Sequence, residues 1–344
     1  MTHGTDAQLK RAQALESEGR VAEAAEILRR AASSGDIAAV AALGKHLLIH
    51  RPDLAREAMQ AVLAAAGGGH GESNHIVAVF VAEGVGFQQN WQSALGLLQR
   101  SAEQGWLPAQ RELVLLAGSS PPEAAACGDW KALRERVDVA ALLAPPRPRA
   151  IPAGPRIFAA EAFARPAMCD WLIELARPWL KSATTYDPAT GIQRHESGRT
   201  NSDCHLVLPR SDLVLAFLRA RIANLVGLPV KFFEVPTMLH YLPSQEFAVH
   251  HDFLDDTQPG YAKEVAEGGQ RVLTFLLYLN DGFEGGETDF PIAGVRYKGG
   301  KGDALFFWNV LPDSTLDRRT LHAGLPPKTG EKWLLSQWIR NRAM

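Results

Sequence analysis

In the run FAVHHDF, His250 and Asp252 stand two residues apart, an imidazole and a carboxylate within reach of one metal ion. In a strand, residues i and i+2 leave the same face, so these two point together and His251 points away. They make up two thirds of the two-histidine, one-carboxylate set that holds Fe(II) on one face and leaves positions open for reactants. The second histidine must come from elsewhere, and His205, His240 and His322 are candidates. His322 differs because LHAGLPPKTGEKW reads as a strand, a Pro/Gly turn and a returning strand that brings Lys332, ten residues on, back towards the histidine. A semi-buried ammonium needs an anionic partner. The far carboxylate of 2-oxoglutarate, with its keto-acid end chelating the metal, would be one. Spacing by itself leaves His205 and His240 open.

These residues need rigid elements to hold them. After about residue 156, FARPAMCDWLIELARPWL reads as an amphipathic helix, and then short strand-like runs follow: TMLHYL, FAVHHDF, RVLTFLLYLN, VRYKGG, DALFFWNV and WLLSQWIR. Gly, Pro and Asp turns divide them, which predicts a β core with flanking helices, a jelly roll being the economical arrangement. Residues 1–118 are written differently, rich in Ala and Leu with almost no alternation. Ala24, Leu28, Ala32, Gly35, Ala39 and Leu43 match Ala94, Leu98, Ala102, Gly105, Ala109 and Leu113 at an offset of 70, two periods of 35. A degenerate middle copy keeps Leu63, Gly67 and Ala78, so three helix-turn-helix units stacked as a solenoid are expected. Residues 119–155, with SSPPEAAACGDW and LLAPPRPRAIPAGPR, read as a Pro-rich linker in which a helix through KALRERVDVAALL caps the repeats. The fold class expected is a two-domain α+β chain, with residues 156–344 as the second domain.

The chain has 344 residues, 46% of them hydrophobic and 22% charged, enough for two cores. A formal charge of -2 gives no global pull towards nucleic acid or anionic membranes, so neither is an expected partner. Cys127, Cys169 and Cys204 are an odd number without CxxC spacing, and the first twenty residues carry no apolar signal segment. A cytoplasmic location is the expectation.

Across Ile157 to Arg340 the sequence resembles the prolyl 4-hydroxylase family of Fe(II)/2-oxoglutarate dioxygenases. The resemblance rests on Tyr241 nine residues before His250, on GGQRVLTFLLYLNDGFEGGETDFP, and on HAGLPPKTGEKWLLSQW. It implies a double-stranded β-helix with iron on His250, Asp252 and His322, and 2-oxoglutarate reaching Lys332, Thr288 and Tyr241. It also implies O2 as co-reactant, ascorbate as reductant, and a peptide groove lined by Arg271 and Trp338. Where the family often has a tyrosine three residues before the first histidine, this chain has Phe247, which keeps the aromatic wall and loses a hydroxyl. DPATGIQRHESGRTNSDCHL resembles the family's mobile lid, and LDDTQPGYAKEVAEGG is expected as a second polar loop. The repeats, best seen in AEGVGFQQNWQSALGLLQRSAEQGWLPAQREL, resemble tetratricopeptide-type repeats of the SEL-like subclass.

Three functions follow. The first is hydroxylation of a prolyl residue in a protein or peptide recruited by the repeats; the second is the same chemistry on another side chain or a small molecule; the third is a non-catalytic interaction protein. Lys332 and Thr288, kept beside a complete triad, favour an enzyme. His46, His50, His70 and His75 are scattered through the helical half and are given no chemistry, and Trp91 and Trp106 are expected as helix packing.

Overall fold

The computed structural model describes residues 2–119, 128–152, 154–187, 192–195, 197–208 and 210–343. Cys127, part of the Pro-rich stretch and part of the lid segment lie outside them. The chain forms two compact units, Met1–Ala141 with Val207–Phe217, and Leu142–Leu206 with Leu218–Met344.

The first unit contains helices α1 (Thr2–Ser17), α2 (Val21–Ala32), α3 (Ile37–His50), α4 (Ala55–Gly67), α5 (Gly71–Glu83), α6 (Trp91–Glu103) and α7 (Leu107–Leu116), each packed mainly on its chain neighbours. Caps fix where they begin: Asp36 accepts from Ala39 N–H at the start of α3, and Asn90 accepts from Ser93 N–H at the start of α6. The 70-residue match has a physical basis. Ala24 and Ala94, Leu28 and Leu98, and Ala39 and Ala109 are all buried, and Gly35 and Gly105 turn the chain at φ of 78° and 82°. The middle copy is one residue short. Its turn glycine is Gly69, at φ 91° and 34 residues after Gly35, so the buried counterpart of Leu28 is Val62, while Leu63 is 38% exposed. Trp91 packs as expected, its ring stacked on Phe217 at 4.1 Å.

The segment read as a linker is more ordered than its prolines suggest. KALRERVDVAALL forms two short helices, α8 (Trp130–Glu135) and α9 (Val139–Leu143), because Asp138 accepts from Ala141 N–H and starts a new turn. Strand β1 (Arg149–Ile151) then begins before the boundary expected at 156 and pairs with β2 (Ile157–Ala160). As the outermost strand of its sheet it tolerates flanking prolines that donate no hydrogen bond.

The second unit is antiparallel throughout. The strands β3 (Lys181–Ser182), β6 (Ser202–His205), β7 (Thr237–Tyr241), β9 (Arg271–Tyr278), β13 (Ala304–Trp308) and β16 (Lys332–Arg340) join β1 and β2 in an eight-stranded sheet of order β1-β2-β13-β9-β16-β7-β6-β3. A four-stranded sheet runs β12-β11-β14-β8, from β8 (Phe247–His250), β11 (Thr288–Phe290), β12 (Val295–Tyr297) and β14 (His322–Gly324). Two small pairs complete it: β4 (Thr185–Asp187) with β5 (Ile192–Arg194), and β10 (Glu284–Gly285) with β15 (Pro327–Thr329). The two large sheets share one apolar core, in which Leu239, Tyr241, Leu276, Tyr278, Phe307 and Leu334 of the larger meet Phe290 of the smaller. This explains the continuous apolar run RVLTFLLY: β9 is central and nearly all its residues are buried, so no alternation survives.

Helix α10 (Pro166–Ala176) falls inside FARPAMCDWLIELARPWL, and α11 (Leu213–Val226) follows β6. The segment after the HxD is not a plain loop. It holds helix α12 (Pro259–Gly268), opened by a proline in its first turn and closed by Gly269 at φ 81°.

Candidate active site

The three expected ligands converge, by a route that differs from the one the sequence suggests. Strand β8 ends at His250, and Asp252 sits in the bend beyond it. A turn of the backbone, rather than the pleat, aims the carboxylate. His322 opens β14 and lies directly opposite His250 in the antiparallel ladder. His250 Nε2 is 3.6 Å from Asp252 Oδ1 and His322 Nε2 is 3.4 Å from Oδ2. Ligands bound to one ion at about 2.0–2.2 Å stand roughly 3 Å apart when adjacent, so small movements seat an ion.

The tautomers are set by the backbone. His250 Nδ1 lies 2.8 Å from the Ala248 carbonyl and His322 Nδ1 lies 3.0 Å from the Thr320 carbonyl, so each Nδ1–H donates and each Nε2 keeps a lone pair for metal. Burial, with His250 adding to it, pushes the His322 pKa down to about 4, which keeps that ring neutral in neutral solution. Burial opposes ionisation of Asp252, but His322, His250 and the Thr274 hydroxyl outweigh it and hold the carboxyl well below the usual range. The site is therefore a charged carboxylate beside a neutral His322 imidazole before any ion arrives.

Thr274 and Asn309 support this arrangement and carry no sequence signature of their own. Thr274 Oγ1 donates to Asp252 Oδ2 at 2.7 Å, and Asn309 Nδ2 donates to Thr274 Oγ1 at 3.0 Å, all three side chains being buried. Thr274→Val keeps the shape and removes the bond that orients the carboxylate. Its Fe(II) affinity is expected to fall about 10–100-fold, read by titration of the apo-protein; unchanged affinity would remove Thr274 from the account.

Behind the triad lies a pocket lined by Tyr241, Thr288, Gly324, Lys332, Leu239 and Leu334 along with the ligands. Lys332 is 0% exposed, and its Nζ has no hydrogen-bond partner among the described residues. Burial pushes its pKa down to about 7, with Glu287 pulling weakly the other way. Such a group is an orphan unless an anion joins it. Lys332 sits opposite Tyr241 on neighbouring strands, and Thr288 Oγ1 lies 2.8 Å from the Tyr278 hydroxyl. The pocket thus offers one cation and neutral hydroxyls at its closed end, with the metal ligands at the other, which fits a dicarboxylate whose second end chelates iron. LHAGLPPKTGEKW is no simple hairpin, however: β14 belongs to the smaller sheet and β16 to the larger, so Lys332 faces the site across the core.

A second groove, about 340 Å³, opens on the other side of the same ligands, lined by Thr184, Arg199, Asp203, Glu234, Tyr261 and Arg271 with Phe247 and Trp338 between it and the pocket. Phe247 stacks on the His250 ring at 3.6 Å, and the Arg199 guanidinium lies over the Phe247 ring at 4.5 Å. Arg199 comes from GRTNS and is anchored by Asp203 at 3.2 Å and the Thr184 carbonyl at 2.9 Å. This part of the lid is pinned to β8, since Ala248 N–H donates to the Gly198 carbonyl and Arg199 bridges Phe247. Arg271 covers Trp338 at 3.9 Å while its Nε and Nη2 engage Glu234 at 2.7 and 2.9 Å, so it positions the indole. Burial opposes the charge on Glu234, but Arg271 and Arg340 outweigh it and keep the carboxylate ionised.

The remaining histidines are otherwise engaged. His240 Nε2 donates to Glu331 at 2.8 Å, His205 Nδ1 meets Thr237 Oγ1 at 3.0 Å, and His251 Nε2 donates to the Arg318 carbonyl while its ring stacks on Phe253. Cys169 is a buried free thiol, and Cys204 is buried as well.

Residues 236–340 match the model of the 2OG-Fe(II) oxygenase superfamily. The chain is 35% identical over 211 residues to Prolyl 4-hydroxylase 1 of Arabidopsis thaliana, covering 57% of this chain and 73% of that protein. It is 34% identical over 205 residues to Prolyl 4-hydroxylase 5 of the same plant, covering 54% and 68%. Among solved structures, the viral collagen prolyl hydroxylase of Paramecium Bursaria Chlorella virus-1 in its 2OG complex aligns at 28% identity and TM-score 0.41, over 54% of this chain and 97% of that one. With the matched relatives spanned over more than two thirds of their length, the chain belongs to the prolyl 4-hydroxylase family and is an Fe(II)- and 2-oxoglutarate-dependent dioxygenase.

Proposed function

We propose that the enzyme hydroxylates a prolyl residue of a protein or peptide laid in the groove between Arg199 and Trp338. The observation that carries this reading is the pair of cavities sharing one wall: Phe247, His250, Asp252 and Trp338 line both the inner pocket and the outer groove. A cosubstrate and a substrate can therefore meet at the ligands from opposite sides. The similarity to proteins called prolyl 4-hydroxylases supports the choice of proline.

In this reading His250, Asp252 and His322 hold Fe(II), and Lys332, Thr288 and Tyr241 receive the far carboxylate of 2-oxoglutarate. Bound iron supplies oxidative decarboxylation of 2-oxoglutarate by O2, giving succinate and CO2 and placing one oxygen atom in a C–H bond of the substrate. The protein's own share is positioning and exclusion of water. Lys332 pairs with the carboxylate, and Leu239 and Leu334 close the pocket around it. Phe247 and Trp338 form apolar walls against which a pyrrolidine ring can lie, and Arg271 with Glu234 keeps the indole in place.

We read the sheet pair as a double-stranded β-helix, supported by two antiparallel sheets around one core. The helical unit reads as a SEL-like solenoid of three helix pairs that recruits the target, supported by matching burial at Leu28, Val62 and Leu98. The buried free thiol of Cys169 fits a reducing compartment such as the cytoplasm.

A non-prolyl or small-molecule substrate is the second reading, favoured by Phe247, which offers no hydroxyl. A proline-containing peptide library incubated with enzyme, Fe(II) and 2-oxoglutarate, then sequenced by mass spectrometry, separates the two. One oxygen added to proline supports the first, and oxygen found only on other residues contradicts it. If the groove holds proline, Phe247→Tyr is expected to raise kcat/KM on such peptides by about 2–10-fold, the worth of one hydrogen bond.

A further inference from the structure

The helical unit brings together three side chains that sequence spacing does not connect. His46 and His50 lie four apart on α3 and so share one face of the helix, their rings 5.0 Å apart. Glu16, near the end of α1, places its carboxylate on His46 Nδ1. One ligand atom from each of the three falls within 4.8 Å of the others, which is also true of the His250, Asp252 and His322 triad. A histidine pair at i and i+4 with a carboxylate from another helix is a donor set suited to a divalent transition metal.

His46 is 1% exposed, and its Nδ1, the nitrogen that faces Glu16, is the one that an ion shared with that carboxylate would take, since the two ring nitrogens of an imidazole point apart. His50 is partly exposed, which provides a way in, and a cleft lined by Lys10, Gln13, Glu16, Lys45 and His46 opens beside it.

We propose that Glu16, His46 and His50 form a second metal site, for a zinc-like divalent ion, that clasps α1 to α3 and is separate from the iron triad. Tetrahedral ligands about 2.0–2.2 Å from an ion stand roughly 3.4 Å apart, so closing the site takes side-chain movement of about 1 Å. The ion needs no redox change and supplies no step of hydroxylation. It links the first helix of the unit to the second helix of the first pair, as structural metals do in small helical units.

The test uses the full chain, stripped of metal and titrated with Co(II) alone, reading bound equivalents by dialysis and coordination by the visible d–d bands. The wild type is expected to bind two equivalents, and a protein with the iron site removed by His250→Ala and His322→Ala one. With the iron site removed, His50→Ala or Glu16→Gln is expected to weaken that remaining equivalent at least about 10-fold with helix content unchanged. Both positions are partly exposed, and two variants guard against one that fails to fold. A single equivalent in the wild type, or a second one that survives both substitutions, overturns the proposal.

Discussion

Lys332→Met is expected to abolish 2-oxoglutarate-dependent turnover while making the cosubstrate-free protein more stable. The two effects share a cause. Lys332 is wholly buried, its Nζ lies 4.9 Å from the Tyr241 ring centre with no hydrogen-bond partner among the described residues, and burial pushes its pKa down to about 7 from an ordinary value of 10.5. That gap corresponds to a folding penalty on the order of 5 kcal/mol at acidic to neutral pH. A thioether of similar length removes it, and a gain of about 1–4 kcal/mol is expected by analogy with buried charges replaced by apolar groups. The same change leaves a dicarboxylate facing an apolar end, and losing one partner of a buried pair costs about 3–5 kcal/mol, or roughly 10²–10⁴-fold in affinity. Calorimetry gives the affinity and thermal melts the stability. A variant that still bound 2-oxoglutarate tightly would remove Lys332 from the site.

The pH dependence follows from the same lysine, and its sign is fixed by proton counting. Between pH 7 and 10.5 the unfolded chain holds a proton on Lys332 that the folded one has lost, so raising pH relieves the penalty and stability rises through this window. Binding of the anion runs the other way. Above pH 7 it must return a proton to Lys332, so 2-oxoglutarate affinity is expected to fall about tenfold per pH unit there. In Lys332→Met both slopes disappear.

Asp252→Ala is expected to have the largest effect on the metal. It removes the one negative ligand, leaves His250 and His322 as the remaining donors, and strands the Thr274 hydroxyl that donates to Oδ2. Loss of a positioning partner alone costs about 10–100-fold in metal affinity, so loss of the ligand itself is expected to exceed about 10³-fold, with activity at background. Dialysis against Fe(II) reads the first and succinate release the second. Full activity at saturating iron would mean that the carboxylate is not a ligand.

The residues that the structure gathers, His250, Asp252, His322 and Lys332, were readable in the sequence because HxD, a downstream histidine and a lysine at fixed spacing each have a chemical reason. What could not be read was how they are brought together. Asp252 lies past the end of β8, and Lys332 reaches the pocket from the other sheet, so both the pleat and the hairpin argument led to residues that do converge, but through the wrong geometry. Thr274, Asn309 and Tyr278 were invisible because a buried polar residue in or beside a strand looks like any other until its partner from another element is known. Helix α12 was hidden in a polar segment whose groove-facing Tyr261 and Glu264 show no long period. The middle repeat slipped by one residue because its turn glycine, Gly69, precedes a histidine at the position that Gly35 and Gly105 define. His46 and His50 were given no chemistry, and Glu16 was not read with them, for a related reason: 30 residues separate the carboxylate from the first imidazole, and only packing of α1 on α3 unites them.

The most direct measurement follows CO2 released from labelled 2-oxoglutarate by the full chain, with and without Fe(II), alongside His250→Ala. Release that requires Fe(II), yields succinate in equal amount and vanishes in the variant is the expected result. Turnover that proceeds without Fe(II), or that survives His250→Ala, would contradict an iron centre built on His250, Asp252 and His322.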